Sequence, residues 1–242
     1  MFLAAGAIAF GAGCLARSRY ERDCLVTEEY RIVSEKIHGP EKTIVFLTDL
    51  HNKEFGDQNC RLLDAVRKVK PDAVLSGGDG MVAKKGNSDV EIPRKLLTEL
   101  AKEFPVYCGN GNHECRMVWK SDIYGAAYEN YRAALENAGI RYLANGSADL
   151  DGEIRIYGLD LPKSAYLPRS GQIPENLLKD ALGEPDPGRF NLLLAHSPLF
   201  FEEYAAWGAD LTLSGHFHGG TIRLPLVGGV MASSISDDTF CS

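Results

Sequence analysis

Thr43-Ile44-Val45-Phe46-Leu47-Thr48 runs directly into Asp49-Leu50-His51. The first six residues form a short apolar run rich in β-branched and aromatic side chains, the pattern of a strand buried on both faces. A carboxylate and an imidazole follow at its carboxyl end. The arrangement recurs along the chain. Ala73–Leu75 reads as a second short strand, stopped by Gly77-Gly78 and followed by Asp79. Pro105–Cys108 reads as a third, followed by Gly111-Asn112-His113-Glu114. Phe190–Ala195 leads into His196, and Asp210–Leu213 leads into Gly215-His216-Phe217-His218-Gly219.

Between these strands lie helical patterns. Asp57 is a candidate N-cap for a helix with Leu62, Leu63, Val66 and Val69 on one face, ended by Pro71. Ser88 and Glu91 form a capping-box pattern opening a helix that runs to about Glu103. A longer helix is expected over Ser121–Ala138, with Gly139 as its C-cap. Asp151-Gly152 predicts a hairpin between Ser147–Leu150 and Glu153–Tyr157. The segment from Leu161 to Gly188 reads as loop around a short helix near Glu175–Leu182, another helix starts at Pro198, and Thr221–Leu224 is expected to add an edge strand. Strands alternating with helices predict a layered α/β domain.

Composition agrees with a folded domain and narrows its partners. The 242 residues are 45% hydrophobic and 24% charged, enough to bury a core. A formal net charge of −7 argues against a nucleic-acid surface built from a basic face. It leaves an anionic substrate open, because a bound dication dominates the local charge of such a site. None of the six cysteines forms a CxxC pair, so reduced thiols are expected rather than a disulfide framework.

The polar groups at the strand ends carry the chemistry. Open α/β sheets bind ligands beyond the carboxyl ends of their strands, and five of the six histidines fall there, His38 being the exception. Imidazole, carboxylate and amide oxygen together suit manganese, iron or zinc. Asp49, His51, Asp79, Asn112, His196, His216 and His218 are too many donors for one tetrahedral ion. They fit two ions about 3.5–4 Å apart, bridged by a carboxylate and a water-derived hydroxide. Singly, each motif has an ordinary explanation: Gly78-Asp79 as a turn, His196 as a hydrogen-bonded core residue. Their common placement does not.

In this order the motifs resemble the calcineurin-like metallophosphoesterases, whose series is Asp-x-His, Gly-Asp, Gly-Asn-His-Asp/Glu, a later His, and Gly-His-x-His. The match spans Thr43 to Leu224, and the Gly-His-x-His-Gly-Gly ending, Ala195-His196-Ser197-Pro198 and the apolar N-terminus are most similar to the small bacterial membrane-associated branch. The resemblance implies an α/β fold, a four-layer α/β/β/α sandwich of two mixed sheets. It implies that Asp49, His51 and His218 hold one divalent ion, Asn112, His196 and His216 a second, and that Asp79 bridges them. His113 would stand beside the pair without ligating it and donate to the leaving group. With Asn112 and Asp79, it makes up the implied catalytic set. The implied cofactors are two ions of Mn, Fe or Zn, manganese first for work in solution. The implied activity is hydrolysis of a phosphodiester, phosphomonoester or lipid-linked pyrophosphate by a metal-bridging hydroxide. The alternatives are a scaffold that keeps the fold without catalysis, and a redox iron enzyme. The latter needs a tyrosine beside Asp79, where none stands.

Two positions depart from that branch: Phe217 stands where Thr is usual and Thr221 where Gln is usual. A bulky ring is therefore expected at the mouth of the site. Members of the family continue through further strands beyond this point, so a second sheet incomplete on its C-terminal side is expected. The domain plan is an apolar anchor or leader with a basic flank over 1–22, a phosphoesterase domain over 43–231, and a polar tail over 232–242. Met1–Ala16 carries no charge and is followed by Arg17, Arg19 and Arg22. The run is shorter than the roughly 20 residues a spanning helix needs. Membrane association through it is expected, with the arginines keeping the domain on the cytoplasmic face.

Overall fold

The computed structural model describes the backbone of residues 2–166, 171–218, 222–224 and 228–231, and side chains over 12–166 and 171–218. Helix α1 (Phe2–Asp23) precedes the domain. No described helix is long and apolar enough to cross a membrane. The first half of the domain is β1 (Ile44–Leu47), α2 (Cys60–Val69), β2 (Ala73–Ser76), α3 (Glu91–Ala101), β3 (Val106–Cys108), α4 (Asn112–Trp119), α5 (Ser121–Tyr124), α6 (Ala127–Asn137) and β4 (Arg141–Tyr142). The second half is β5 (Gly146–Asp149), β6 (Ile154–Leu159), α7 (Leu177–Leu182), β7 (Phe190–Ala195), α8 (Phe201–Trp207) and β8 (Leu211–Leu213). A hairpin of β9 (Ile222–Leu224) and β10 (Gly228–Met231) follows.

Two four-stranded sheets result, ordered β1-β2-β3-β4 and β5-β6-β7-β8. The first is parallel throughout, because each strand returns through a helical crossover. Only the second is mixed. Its β5 and β6 are antiparallel because Asp151 turns the chain between them, its Oδ1 accepting the N–H groups of Glu153 at 2.8 Å and Ile154 at 3.0 Å. The strands β6, β7 and β8 run parallel.

Successive side chains of a strand point to opposite faces, and that period builds four layers. Val74 packs outward with Leu62, Leu96 and Leu135 of α2, α3 and α6, while its neighbours Ala73 and Leu75 face Ile156, Leu192 and Leu194 of the second sheet. On the far side of that sheet, Tyr157, Leu159, Leu193 and Ala195 meet Leu178 of α7 and Tyr204 of α8. Leu75 is fully buried between the sheets, where truncation to alanine costs about 2–5 kcal/mol.

The helix boundaries differ locally from the sequence expectations. Helix α2 begins at Cys60 behind a left-handed Asn59 rather than at an Asp57 cap, and Asn59 Oδ1 instead takes the Phe55 N–H at 2.9 Å. Helix α3 begins at Glu91, whose N–H goes to Asp89 rather than to Ser88. The helix expected over Ser121–Ala138 breaks at Gly125, where φ is 57°. β9 pairs with β10 and not with either larger sheet among the described residues. Thr221 and the tail over 232–242 lie outside the described residues.

Candidate metal centre

The residues singled out at the strand ends come together. Asp49 and His51 follow β1, Asp79 follows β2, Asn112 and His113 open α4, His196 follows β7, and His216 and His218 follow β8. Their backbones are held in unusual shapes. Asp49, His51, Asp79, His216 and His218 all have left-handed φ angles between 48° and 70°. Such conformations cost about 1–3 kcal/mol each and persist where the surroundings enforce them. The surroundings here are hydrogen bonds between the loops. Asp49 N–H donates to Gly78 O at 3.1 Å, His51 N–H to Asp79 O at 3.0 Å, and Gly215 N–H to His196 O at 2.9 Å. Glycine allows the approach: a Cβ on Gly78, whose φ is 93°, would lie 2.0 Å from the Gly111 nitrogen.

Two carboxylates form the middle of the cluster. His196 Nε2 lies 3.2 Å from Asp79 Oδ2 and 3.7 Å from Asp49 Oδ1. His218 Nε2 is 3.6 Å from Asp49 Oδ1, and His51 Nε2 is 3.8 Å from both Asp49 Oδ1 and Asp79 Oδ2. His51 and His218 face each other nitrogen to nitrogen at 3.1 Å. His216 Nδ1 is 2.9 Å from Asn112 Oδ1. Among the described residues three sets of donors could hold an ion, Asp49/His51/His218, Asp79/His196/His216 and His51/Asp79/His113, each with its ligand atoms within 4.8 Å of one another. Asn112 adds an amide oxygen beside the Asp79/His196/His216 set through His216.

A divalent ion fits this donor set on one direct observation. His196 Nε2 is buried and makes no well-aligned hydrogen bond, although Asp79 Oδ2 at 3.2 Å and Asp49 Oδ1 at 3.7 Å both face it, so three groups that attract a cation converge on one point. Its Nδ1 lies 2.8 Å from Gly77 O. Donation from Nδ1 to that carbonyl is the usual orientation of a ligating histidine and turns Nε2 toward the carboxylates, where it can take an ion or, in the ion-free chain, a second proton.

His113 has a different geometry. It lies within 4.8 Å of His51 and Asp79 by ligand atoms, but its Nδ1 accepts the Ala83 N–H at 3.0 Å. A neutral imidazole accepting at Nδ1 carries its proton on Nε2, and is therefore a donor at that nitrogen. Its backbone N–H donates to Asp79 Oδ1 at 2.8 Å. His38, outside the strand-end set, is exposed and gives its backbone N–H to Glu153.

The sequence model of the calcineurin-like phosphoesterases matches residues 42–220. The chain belongs to the calcineurin-like phosphoesterase family. It is 29% identical to the metallophosphoesterase YkuE of Bacillus subtilis over 95% of this chain and 77% of that protein. It is 28% identical to the phosphodiesterase YaeI of Escherichia coli, over 82% of this chain and 68% of that one. Protein YpbG of Bacillus subtilis is 28% identical over 76% of this chain, which covers 64% of that relative's length. The domain is thus that of a metal-dependent phosphoester hydrolase.

The electrostatics of the phosphoesterase centre suit a cation. Burial alone would push His196 down, but Asp79 and Asp49 outweigh it and raise the imidazole to about 9. Without an ion, that proton supplies the positive charge the carboxylates demand. Burial lowers His216 to about 4, with the charge of His196 acting the same way. Burial likewise lowers His51. Both stay neutral near pH 7 and keep lone pairs available.

Some neighbours were not apparent from the sequence motifs. Glu114 is buried, and its carboxylate accepts three backbone N–H groups: Asp79 at 2.8 Å, Gly111 at 3.0 Å and Gly80 at 3.1 Å. Its place in the motif was the available signal, although the motif does not say which atoms it holds. Thr48 Oγ1 donates to Asp49 Oδ2 at 2.9 Å. Tyr166, from a segment that reads as loop, places its ring 5.3 Å from that of His216 and 6.4 Å from that of His196. No local pattern pointed to it. Phe217 is half-buried with its ring 5.4 Å from that of His216.

Proposed function

We propose that this protein is a two-metal hydrolase of phosphodiesters. The observation that carries the reading is the convergence of Asp49, His51, Asp79, His196, His216 and His218, with His196 Nε2 buried against both carboxylates. Asp49, His51 and His218 would hold one ion, Asn112, His196 and His216 the other, with Asp79 shared. Bound there, two divalent ions would supply an activated water and neutralise charge on the phosphoryl oxygens. His113, with its proton on Nε2, donates to the oxygen of the departing alcohol. Gly77 O orients His196, and Glu114 holds the backbone around Asp79 so that its carboxylate faces inward. A diester is favoured over a monoester by the likeness to a protein named as a phosphodiesterase.

The deciding experiment combines metal analysis with a panel of mono-, di- and pyrophosphate esters, lipid pyrophosphates included, assayed with Mn, Zn and Mg. The reading predicts two ions per chain and manganese-supported release of p-nitrophenol from bis(p-nitrophenyl) phosphate. Protein that holds two ions and hydrolyses nothing in the panel is a scaffold instead. We propose in addition that α1, with Arg17, Arg19 and Arg22 in its C-terminal part, lies against a membrane at the cytoplasmic face. Cosedimentation with anionic vesicles tests this, and binding undiminished by removal of residues 1–22 rejects it.

A further inference from the structure

The two ligand sets of the metal centre differ in their shelter. In the Asp49/His51/His218 set, 23% of the His51 side chain and 31% of the His218 side chain meet solvent. In the Asp79/His196/His216 set, Asp79 and His196 are closed off, and His216 lies among aromatic rings. Tyr166 stands 5.3 Å from it in an edge-on contact inclined at 67°, and His196 stands 5.5 Å away at 64°. The Tyr166 ring is also 6.4 Å from that of His196. One tyrosine thus packs against both imidazoles of a single ligand set.

Tyr166 is itself held from behind. It ends a short 3₁₀ turn, Lys163–Tyr166, in which the Ala165 N–H donates to Pro162 O at 2.9 Å. Its ring lies 6.0 Å from that of Trp119, the last residue of α4, the helix that Asn112 opens. It packs as well on the cluster of Leu161, Leu178 and Tyr204 outside the second sheet. The elements that present Asn112, His196 and His216 therefore meet on one side chain that no sequence motif marks.

We propose that Tyr166 is the positioning residue of the ion held by Asn112, His196 and His216, and that its ring sets both the affinity and the slow release of that ion. The inference rests on the two-metal reading above and adds an inequality between the two sites. Groups outside the ligand shell orient a ligating imidazole, and their loss costs about 10–100-fold in metal affinity. Gly77 O does this for His196, and the Tyr166 ring touches both histidines. An edge-on ring pair fixes the angle of an imidazole without taking a proton from it, so the ring nitrogens stay available to a cation. The ring also keeps water from the sheltered set, while the other set opens to solvent at His51 and His218. The contact is made by the ring and not by the hydroxyl, so phenylalanine should serve as well.

The test counts ions and needs no turnover. Manganese titrated into the metal-free, full-length protein in a calorimeter should fill two sites. In Tyr166→Ala one site should weaken about tenfold, the lower end of the range for such outer partners, and the other should stay as in wild type. Tyr166→Phe should match wild type at both. Chased with EDTA, manganese-loaded wild type should release one ion quickly and one slowly, and Tyr166→Ala should release both quickly. Leu178→Ala, a truncation in the same cluster, controls for plain loss of packing. It should lower Tm, as Tyr166→Ala does, and leave both sites unchanged. Two unchanged sites in Tyr166→Ala, or equal weakening of both, overturns the assignment and leaves the two-metal reading intact. Selective weakening in Leu178→Ala or in Tyr166→Phe overturns it as well. If wild type binds a single ion, the two-metal reading fails. The role of Tyr166 then holds only if Tyr166→Ala weakens that ion and Leu178→Ala does not. Wild type that takes up no manganese overturns both.

Discussion

Glu114 holds Asp79 by its backbone: Oε2 accepts the Asp79 N–H at 2.8 Å, and Oε1 accepts the next N–H, of Gly80, at 3.1 Å. The same Oε2 also takes the N–H of Gly111. The strand ends of β2 and β3 are thereby joined through one buried carboxylate, and Asp79 is kept at its left-handed φ of 51°. Glu114→Gln can place its single oxygen at the Oε2 position and keep two of these bonds, but its NH₂ then faces the Gly80 N–H, donor against donor. An unsatisfied buried donor costs about 1–3 kcal/mol. The expected outcome is a folded protein with a lower Tm and a metal stoichiometry below wild type, measured by thermal melts and elemental analysis. Unchanged metal content in Glu114→Gln would show that Asp79 is positioned without it.

His113→Ala separates binding from turnover. The imidazole accepts from Ala83 and is read as a donor at Nε2, so its loss removes a proton donor but no ligand. Turnover of bis(p-nitrophenyl) phosphate should fall about 10²–10⁴-fold, with both ions retained. An ester with a better leaving group, which needs less protonation, should lose less. A uniform loss across leaving groups, together with lost metal, would instead make His113 a ligand.

Asp79→Asn acts on the other function. Asp79 is buried and lies within 3.2–3.8 Å of His196 and His51. Without its charge, the two sets of donors no longer share a carboxylate. Metal stoichiometry should drop toward one ion per chain, and turnover should vanish. Isothermal titration with manganese reads this directly, and two tight sites in the variant would refute the shared role.

Metal uptake should depend on pH with a definite sign. His196 is held protonated up to about pH 9 by Asp79 and Asp49 in the ion-free chain, and a ligating imidazole must be neutral. Binding therefore expels a proton, and apparent affinity should rise with pH until about 9, then level off. Titrations in buffers of different ionisation enthalpy should show at least one proton released per chain at pH 7.5, that of His196, and a second where the metal-bound water ionises. Uptake without proton release would mean that His196 is already neutral and its carboxylate neighbours weaker than the geometry implies.

Much of this site was legible in the sequence because its chemistry sits at strand ends, where a run of apolar residues stops and a polar one begins. Asp49, His51, Asp79, His196, His216 and His218 could be placed by that rule alone, since β1, β2, β7 and β8 are short and plainly bounded. The helices were less legible. α4 begins inside the Gly111-Asn112-His113-Glu114 motif, so the motif conceals the helix N-terminus that presents Asn112. β4 is two residues long and carries no periodicity to detect. Tyr166 was invisible for another reason. It reaches the site through tertiary packing of a segment that reads as loop, and nothing in the local sequence says where such a segment will lie.

Asp160 also sets a stability prediction. Burial pushes its carboxyl up to about 6, against an unfolded value of 3.8, with the Asn110 amide opposing the shift. A folded pKa above the unfolded one means that the protonated form is favoured by folding. Its stabilising contribution is full below about pH 4 and is lost as pH rises through about 6. At pH 7.5 the ionised group should leave the fold on the order of 3 kcal/mol less stable than at acid pH, other groups being equal. Asp160→Asn keeps an acceptor for Asn110 and removes the charge, so it should raise the urea midpoint at pH 7.5, and the gain should shrink steadily as pH falls toward 4. If Asp160→Asn is no more stable than wild type at pH 7.5, the carboxylate is already compensated in solution.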